Sequence, residues 1–102
     1  MSLTWAYVFE HPGTDPIADR TVIDRAGQRT LLVPVPGTDK APSVAAELAA
    51  TEGVKLVELC GGFGAAAVAA VRAAVPPEVA VGQVAFGADS VVSAAAFAEA
   101  AG

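Results

Sequence analysis

Cysteine, histidine and charge are all scarce in this chain of 102 residues, which holds one Cys, one His and only 17% charged residues. A lone Cys60 cannot close an internal disulfide, so the chain is not one of the small stapled folds of secreted proteins. One histidine, His11, and one cysteine fall short of the usual ligand sets for zinc, and no metal site is expected. Basic residues number 6 against 11 acidic, a net charge of -5, with no Lys/Arg cluster to neutralise a phosphate backbone. Nucleic acid and anionic membrane are therefore not expected as partners. Long apolar runs are missing too. The longest charge-free stretch, residues 59–71, is rich in Ala and Gly and shorter than the about 20 apolar residues that span a bilayer. The opening Met1-Ser2-Leu3-Thr4-Trp5 has neither the basic nor the apolar region of a signal peptide, and a cytoplasmic location is expected.

What is present in quantity is apolar: 54% of residues are hydrophobic, in a length that suits one domain, residues 1–102. Strand and helix patterns alternate along it. Residues 5–9 place Trp5, Tyr7 and Phe9 on one side and Ala6 and Val8 on the other, which is a first strand. After Glu10-His11-Pro12-Gly13, Asp15-Pro16 opens a stretch with Ile17, Arg20, Val22 and Ile23 that reads as a short helix. The competing reading is a hairpin, with residues 21–24 as a strand and Arg25-Ala26-Gly27-Gln28 as its turn.

Residues 30–35 form a second strand, where Pro34 removes a ladder donor and argues for a sheet edge. A helix over residues 40–52, capped by Thr38 or Asp39, ends at Gly53. A third strand over 54–60 turns through Gly61-Gly62-Phe63-Gly64 into a helix over 65–75, which Pro76-Pro77 breaks. A fourth strand over 79–86 leads to a last helix, capped by Asp89 or Ser90 and running to Ala100. The expected fold is α/β: a four-stranded, mainly parallel sheet of repeated strand-helix units in the order 2-1-3-4, with helices packed on it. In that order the winding reverses between strands one and three, where open sheets bind ligands at their carboxyl ends.

Thirteen of the seventeen charges lie between Glu10 and Glu58, leaving only Arg72, Glu78, Asp89 and Glu99 in the rest. The last two helices thus lack a polar face, and a homodimer or higher oligomer joined through them is expected.

The reversal point gathers Glu10 and His11 with Glu58, Cys60 and the Gly61-Gly62-Phe63-Gly64 turn. A glycine-rich turn opening a helix offers free amides and the positive end of a helix dipole, suited to a small anion or an oxyanion. It serves equally to pack helix on strand. The run Gly62-Phe63-Gly64-Ala65-Ala66-Ala67 fits a relaxed dinucleotide fingerprint, yet no acidic residue about 20 positions later meets a ribose, and no Lys-Ser or Lys-Thr follows for a nucleotide phosphate. No cofactor is expected.

Cys60, at a helix start with His11 as base, could supply a thiolate, or it is a small buried hydrophobe. Glu58, two residues earlier in an apolar strand, could be a desolvated general acid or base, or an ion-pair partner. His11 is a candidate proton shuttle on what is also an ordinary loop.

The strand and turn Glu58-Leu59-Cys60-Gly61-Gly62-Phe63-Gly64, with Ala6-Tyr7-Val8-Phe9 and Val81-Gly82, resembles a family of short bacterial proteins of unknown function. The resemblance covers most of the chain and implies a similar length and α/β fold, with no activity attached. Two function classes follow from the residues. One is a cofactor-free isomerase or lyase acting on a small carbonyl or carboxylate compound, with Glu58 or His11 moving a proton, Cys60 assisting, and Glu10 and the Gly61–Gly64 amides holding the ligand. The other is a non-catalytic module for a small anion, or an oligomeric structural protein whose turn only packs.

Overall fold

The turn Arg25-Ala26-Gly27-Gln28 decides how the first third of the chain folds. Ala26 (φ 56°) and Gly27 (φ 77°) both adopt the left-handed conformation, as a two-residue hairpin turn between right-twisted strands requires. The computed structural model describes residues 3–102, and in it this turn joins β2 (Thr21–Arg25) to β3 (Gln28–Val35) in antiparallel register. The hairpin replaces the helix that Asp15-Pro16 suggested. Its cap signal is genuine, since Asp15 Oδ1 accepts from the amides of Ile17 and Ala18 at 2.8 and 2.9 Å. Only a single turn follows, because Thr21-Val22-Ile23 is a β-branched run that suits a strand.

The remaining elements follow the expected alternation: β1 (Leu3–Glu10), α1 (Ala41–Thr51), β4 (Leu56–Leu59), α2 (Ala65–Ala74), β5 (Ala80–Gln83) and α3 (Val91–Ala101). The sheet order is β2-β3-β1-β4-β5, parallel throughout except for β2. The four parallel strands stand as 2-1-3-4 implied, and β2 adds a fifth at the margin. Pro34 fits this arrangement closely. The β2 pairing ends at Leu32, so β3 is an edge at Pro34. The carbonyl of Val35 accepts from His11 N on the β1 side at 2.8 Å, which turns the donorless nitrogen of Pro34 outward.

Both crossovers, β3-α1-β4 and β4-α2-β5, step across the sheet in one direction, and right-handed connections then put both helices on the same face. Ala6 and Val8 of β1, Leu31, Val33 and Val35 of β3, and Val57 and Leu59 of β4 turn to that face. There they bury against Ala41, Ala45 and Leu48 of α1 and Val68 and Val71 of α2. Val54, Phe63, Val75 and Val79 close the core at the element ends. Gly53, at φ 69°, stops α1 and lets Val54 N donate back to Leu48 O.

Arg20 and Arg29 tie the hairpin region to α1. Arg20 donates to Glu47 at 2.7 Å and lies 3.8 Å from Glu52, while Arg29 reaches Glu52 at 2.7 Å and Asp24 at 3.8 Å. The Arg20 hydrogen bond is the largest influence on Glu47 and holds its carboxyl below the ordinary 4.5, against an opposing effect of burial. Because the native value is the lower one, this pair stabilises the fold above pH 4.5 and the contribution disappears as pH falls through the native value. Glu47→Gln should lower stability at neutral pH by about 0.5–1 kcal/mol, the pair being partly screened by solvent, and by much less in acid. Urea midpoints across pH measure this. In the turn, Ala26→Asn should raise stability by about 0.5 kcal/mol, since asparagine tolerates the left-handed conformation that costs alanine roughly 1 kcal/mol.

Candidate functional site

Three features meet at the carboxyl ends of β1 and β4, where the chain leaves the sheet in opposite directions. Cys60 is pinned to the ladder by its amide, which donates to Val8 O at 3.1 Å, and its carbonyl accepts from Phe63 N at 3.2 Å to close the turn. Glu10 ends β1 beside it. Around Gly62, a Cβ would come to 3.6 Å from Cys60 Sγ and 3.9 Å from Glu10 Oε1. Thiol and carboxylate therefore converge on a residue that has no side chain to separate them.

Beyond them α3 borders the carboxyl edge and leaves an open cleft of about 970 Å³ between the two. Its floor is Glu10, Pro12, Cys60, Gly61 and Gly62; its far wall is Phe86 with Ser90, Ser93, Ala94 and Phe97. Gly61 lets the Phe86 ring lie close over the turn, where a Cβ would come to 2.8 Å from the ring and push it outward. No Lys or Arg lines the cleft.

The other expected residues lie elsewhere. Phe63 is 3% exposed and belongs to the core, and Gln83 Nε2 donates to its carbonyl. Gly64 is the extended residue before α2, its carbonyl accepting from Val68 N at 3.0 Å. His11 is exposed, its Nδ1–H directed at Pro12 O at 3.1 Å, and it does not line the cleft. Glu58 is exposed on the sheet face opposite α1 and α2, lining a separate depression of about 520 Å³ with Leu3, Trp5 and Leu56. Of the expected constellation, then, Glu10, Cys60, Gly61 and Gly62 come together, and His11, Glu58, Phe63 and Gly64 stand apart from them. Among the described residues no three His, Cys, Asp or Glu side chains gather to hold a metal ion, and no helix is long and apolar enough to cross a membrane.

Sequence reasoning missed the wall supplied by α3. Phe86 and Phe97, two large apolar residues in a stretch nearly free of charge, were the available signal; Phe86 read as the end of the fourth strand, which in fact stops at Gln83, and Phe97 read as part of a helix interface do not point to a cleft. It also missed Tyr7. This residue faces Leu32 and Glu58 across the ladders and stacks on Phe9 with ring centroids 5.8 Å apart. Burial first, then the charges of Cys60 and Glu58, push its phenol above the ordinary 10.0. Tyr7 is the only tyrosine, so ultraviolet titration of phenolate reads it alone. The midpoint should lie above 10.0 and move back toward it in Cys60→Ala and in Glu58→Gln. A wild-type midpoint at the ordinary value would mean that neither burial nor the two charges act on the phenol.

No curated protein and no solved structure matches the chain. The model of a family of unknown function, DUF6506, matches residues 3–99, and the chain belongs to that family.

Proposed function

We propose that the protein binds a small molecule in the cleft between the carboxyl edge of the sheet and α3. The ligand is neutral or cationic, apolar over most of its surface, with a hydroxyl, amide or amine donor for Glu10. The observation that carries this reading is the convergence of Glu10 and Cys60 on Gly62, at the floor of a largely apolar cleft without a cation. Apolar walls with a few converging polar groups are the usual form of a small-molecule site. A carboxylate ligand would meet Glu10 with no Lys or Arg to offset the repulsion, which weighs against an anion held by the turn amides. A cytoplasmic location suits the free thiol of Cys60, which lines the cleft.

The same pair supports a second, catalytic reading on a carbonyl compound. Glu10 would take a proton from the carbon beside the carbonyl while the Cys60 thiol donates one to the oxygen. On an α-hydroxy carbonyl compound this gives an enediol; Glu10 then returns its proton to the former carbonyl carbon while the Cys60 thiolate takes the proton of the other hydroxyl, which becomes the new carbonyl, completing an isomerisation without cofactor. In this reading the proton-transfer roles fall to Glu10 and Cys60, and Glu58 and His11 have no part.

A matched set of probes tests the proposal: benzyl alcohol, benzylamine and benzoate, followed by amide chemical shifts. The alcohol and the amine should perturb Gly61, Gly62 and Ala94, and benzoate should not. Glu10→Gln should weaken the amine about 10-fold, the loss of one charge-assisted hydrogen bond, and the alcohol less. Preferential binding of benzoate, or shifts confined to other parts of the sheet, would overturn the proposal.

A further inference from the structure

The face of the sheet turned away from α1 and α2 carries apolar residues from every strand. One row across it is Ile23, Thr30, Trp5, Leu56 and Ala80; the next is Thr21, Leu32, Tyr7, Glu58 and Gly82; Phe9 and Pro34 continue it toward the carboxyl edge. Trp5, Tyr7, Phe9 and Leu32 are half-buried among one another, while Leu3, Ile23 and Leu56 are exposed. A sheet with apolar residues on both faces needs a layer on each. The chain supplies one, because its third crossover is a hairpin and α3 buries no residue.

The exposed area of the whole chain is large for its mass, an excess that the open sheet face shares with α3, which buries no residue. The chain presents 6157 Å², against about 5,300 Å² for a folded monomer of its mass. The excess, roughly 900 Å², is close to the about 800 Å² that each partner contributes to a stable interface. The radius of gyration, 13.9 Å, likewise exceeds the about 12.8 Å of a compact chain of this length.

We propose that a second copy of this chain covers this face, the two sheets packing through Trp5, Tyr7 and Leu32 about a two-fold axis. A two-fold contact needs one self-complementary surface, and an apolar face without like-charged clusters meets that requirement. Glu58 sets the centre. It lies on β4 with only Gly82 and Ala80 of the edge strand beyond it, so a contact centred on β1 and β3 leaves its carboxylate at the solvated rim, where it escapes the cost of burial. The interface thereby lies on the opposite side of the sheet from α2, whose Val68 and Val71 already face the core.

Sedimentation and light scattering measure the mass, and Trp5, the only tryptophan, reports the contact by fluorescence. The wild-type chain should run at twice 10.1 kDa at micromolar concentration, with Trp5 emission shifting to the red on dilution. Leu3→Arg, two residues before Trp5 on β1, and Ile23→Arg, in the row of Trp5, both replace residues exposed in the single chain, so each should fold by circular dichroism and weaken the dimer about 100-fold or more. Ala66→Glu, on the exposed side of α2, should leave it intact. A wild-type monomer at high micromolar concentration would overturn the proposal. So would a dimer that survives both arginine variants, or one broken by Ala66→Glu or by Val92→Glu on α3 while both arginine variants remain dimeric.

Discussion

The handedness of the crossovers governs this structure more than any single contact. Parallel strands linked through helices connect right-handedly, and two such connections stepping in one direction must place both helices on one face. Helices on the other face would need a crossover in the opposite direction. The chain makes that step from β1 to β3, but through β2 and not through a helix. The Arg25-Ala26-Gly27-Gln28 turn is thus the local cause of a global asymmetry. It leaves Trp5, Tyr7 and Phe9 on a sheet face without a covering layer, although their alternation with Ala6 and Val8 is that of a strand buried on both sides.

That asymmetry also separates residues which adjacency in the chain had grouped. Glu58 and Cys60 both follow the open-face alternation of β4, yet Cys60 lies beyond the last paired residue, Leu59, and turns into the cleft. Glu58 stays within the ladder opposite Tyr7. His11, one residue past Glu10, is drawn off by the bond of its amide to Val35 O and follows the loop. Glu10 is the last residue of β1 and reaches Gly62 from there. A displacement of one residue at a strand end decides which groups can act together.

Much of the sheet could be read from the chain because its signals are local. Pro34 at the end of a strand, Gly53 after a helix and Gly61-Gly62 after an apolar strand each have one steric meaning, and the order of the parallel strands followed from them. Residues 15–26 were ambiguous for a physical reason: Asp15 caps a turn with its side chain whether or not a helix continues, and the competition is settled six residues later by Thr21-Val22-Ile23. The site was legible only in part. Glu10, Cys60 and the first two glycines are set by strand ends, whereas the opposite wall depends on where α3 lies, and neither spacing nor composition fixes the placement of a helix that is apolar all round.

Weak anchoring of α3 makes the far wall of the cleft the least constrained part of the structure. A helix of 11 residues is marginal in water without tertiary support, and α3 has little: Ala94 alone is partly buried, while Val92 and Phe97 are 82% and 76% exposed. The Phe86 ring lies over Gly61. The energy that holds α3 at the carboxyl edge is therefore small beside that of the core, where Leu48, Val71 and their neighbours are fully enclosed. A ligand that touches both the Gly61-Gly62 floor and the Phe97 wall gains contacts with α3 only in its docked position, so binding and docking of the helix must reinforce each other. In the proposed reading the cleft is accordingly the part of the structure most responsive to a ligand, and the sheet beneath it is the frame that holds Glu10 and Cys60 in place.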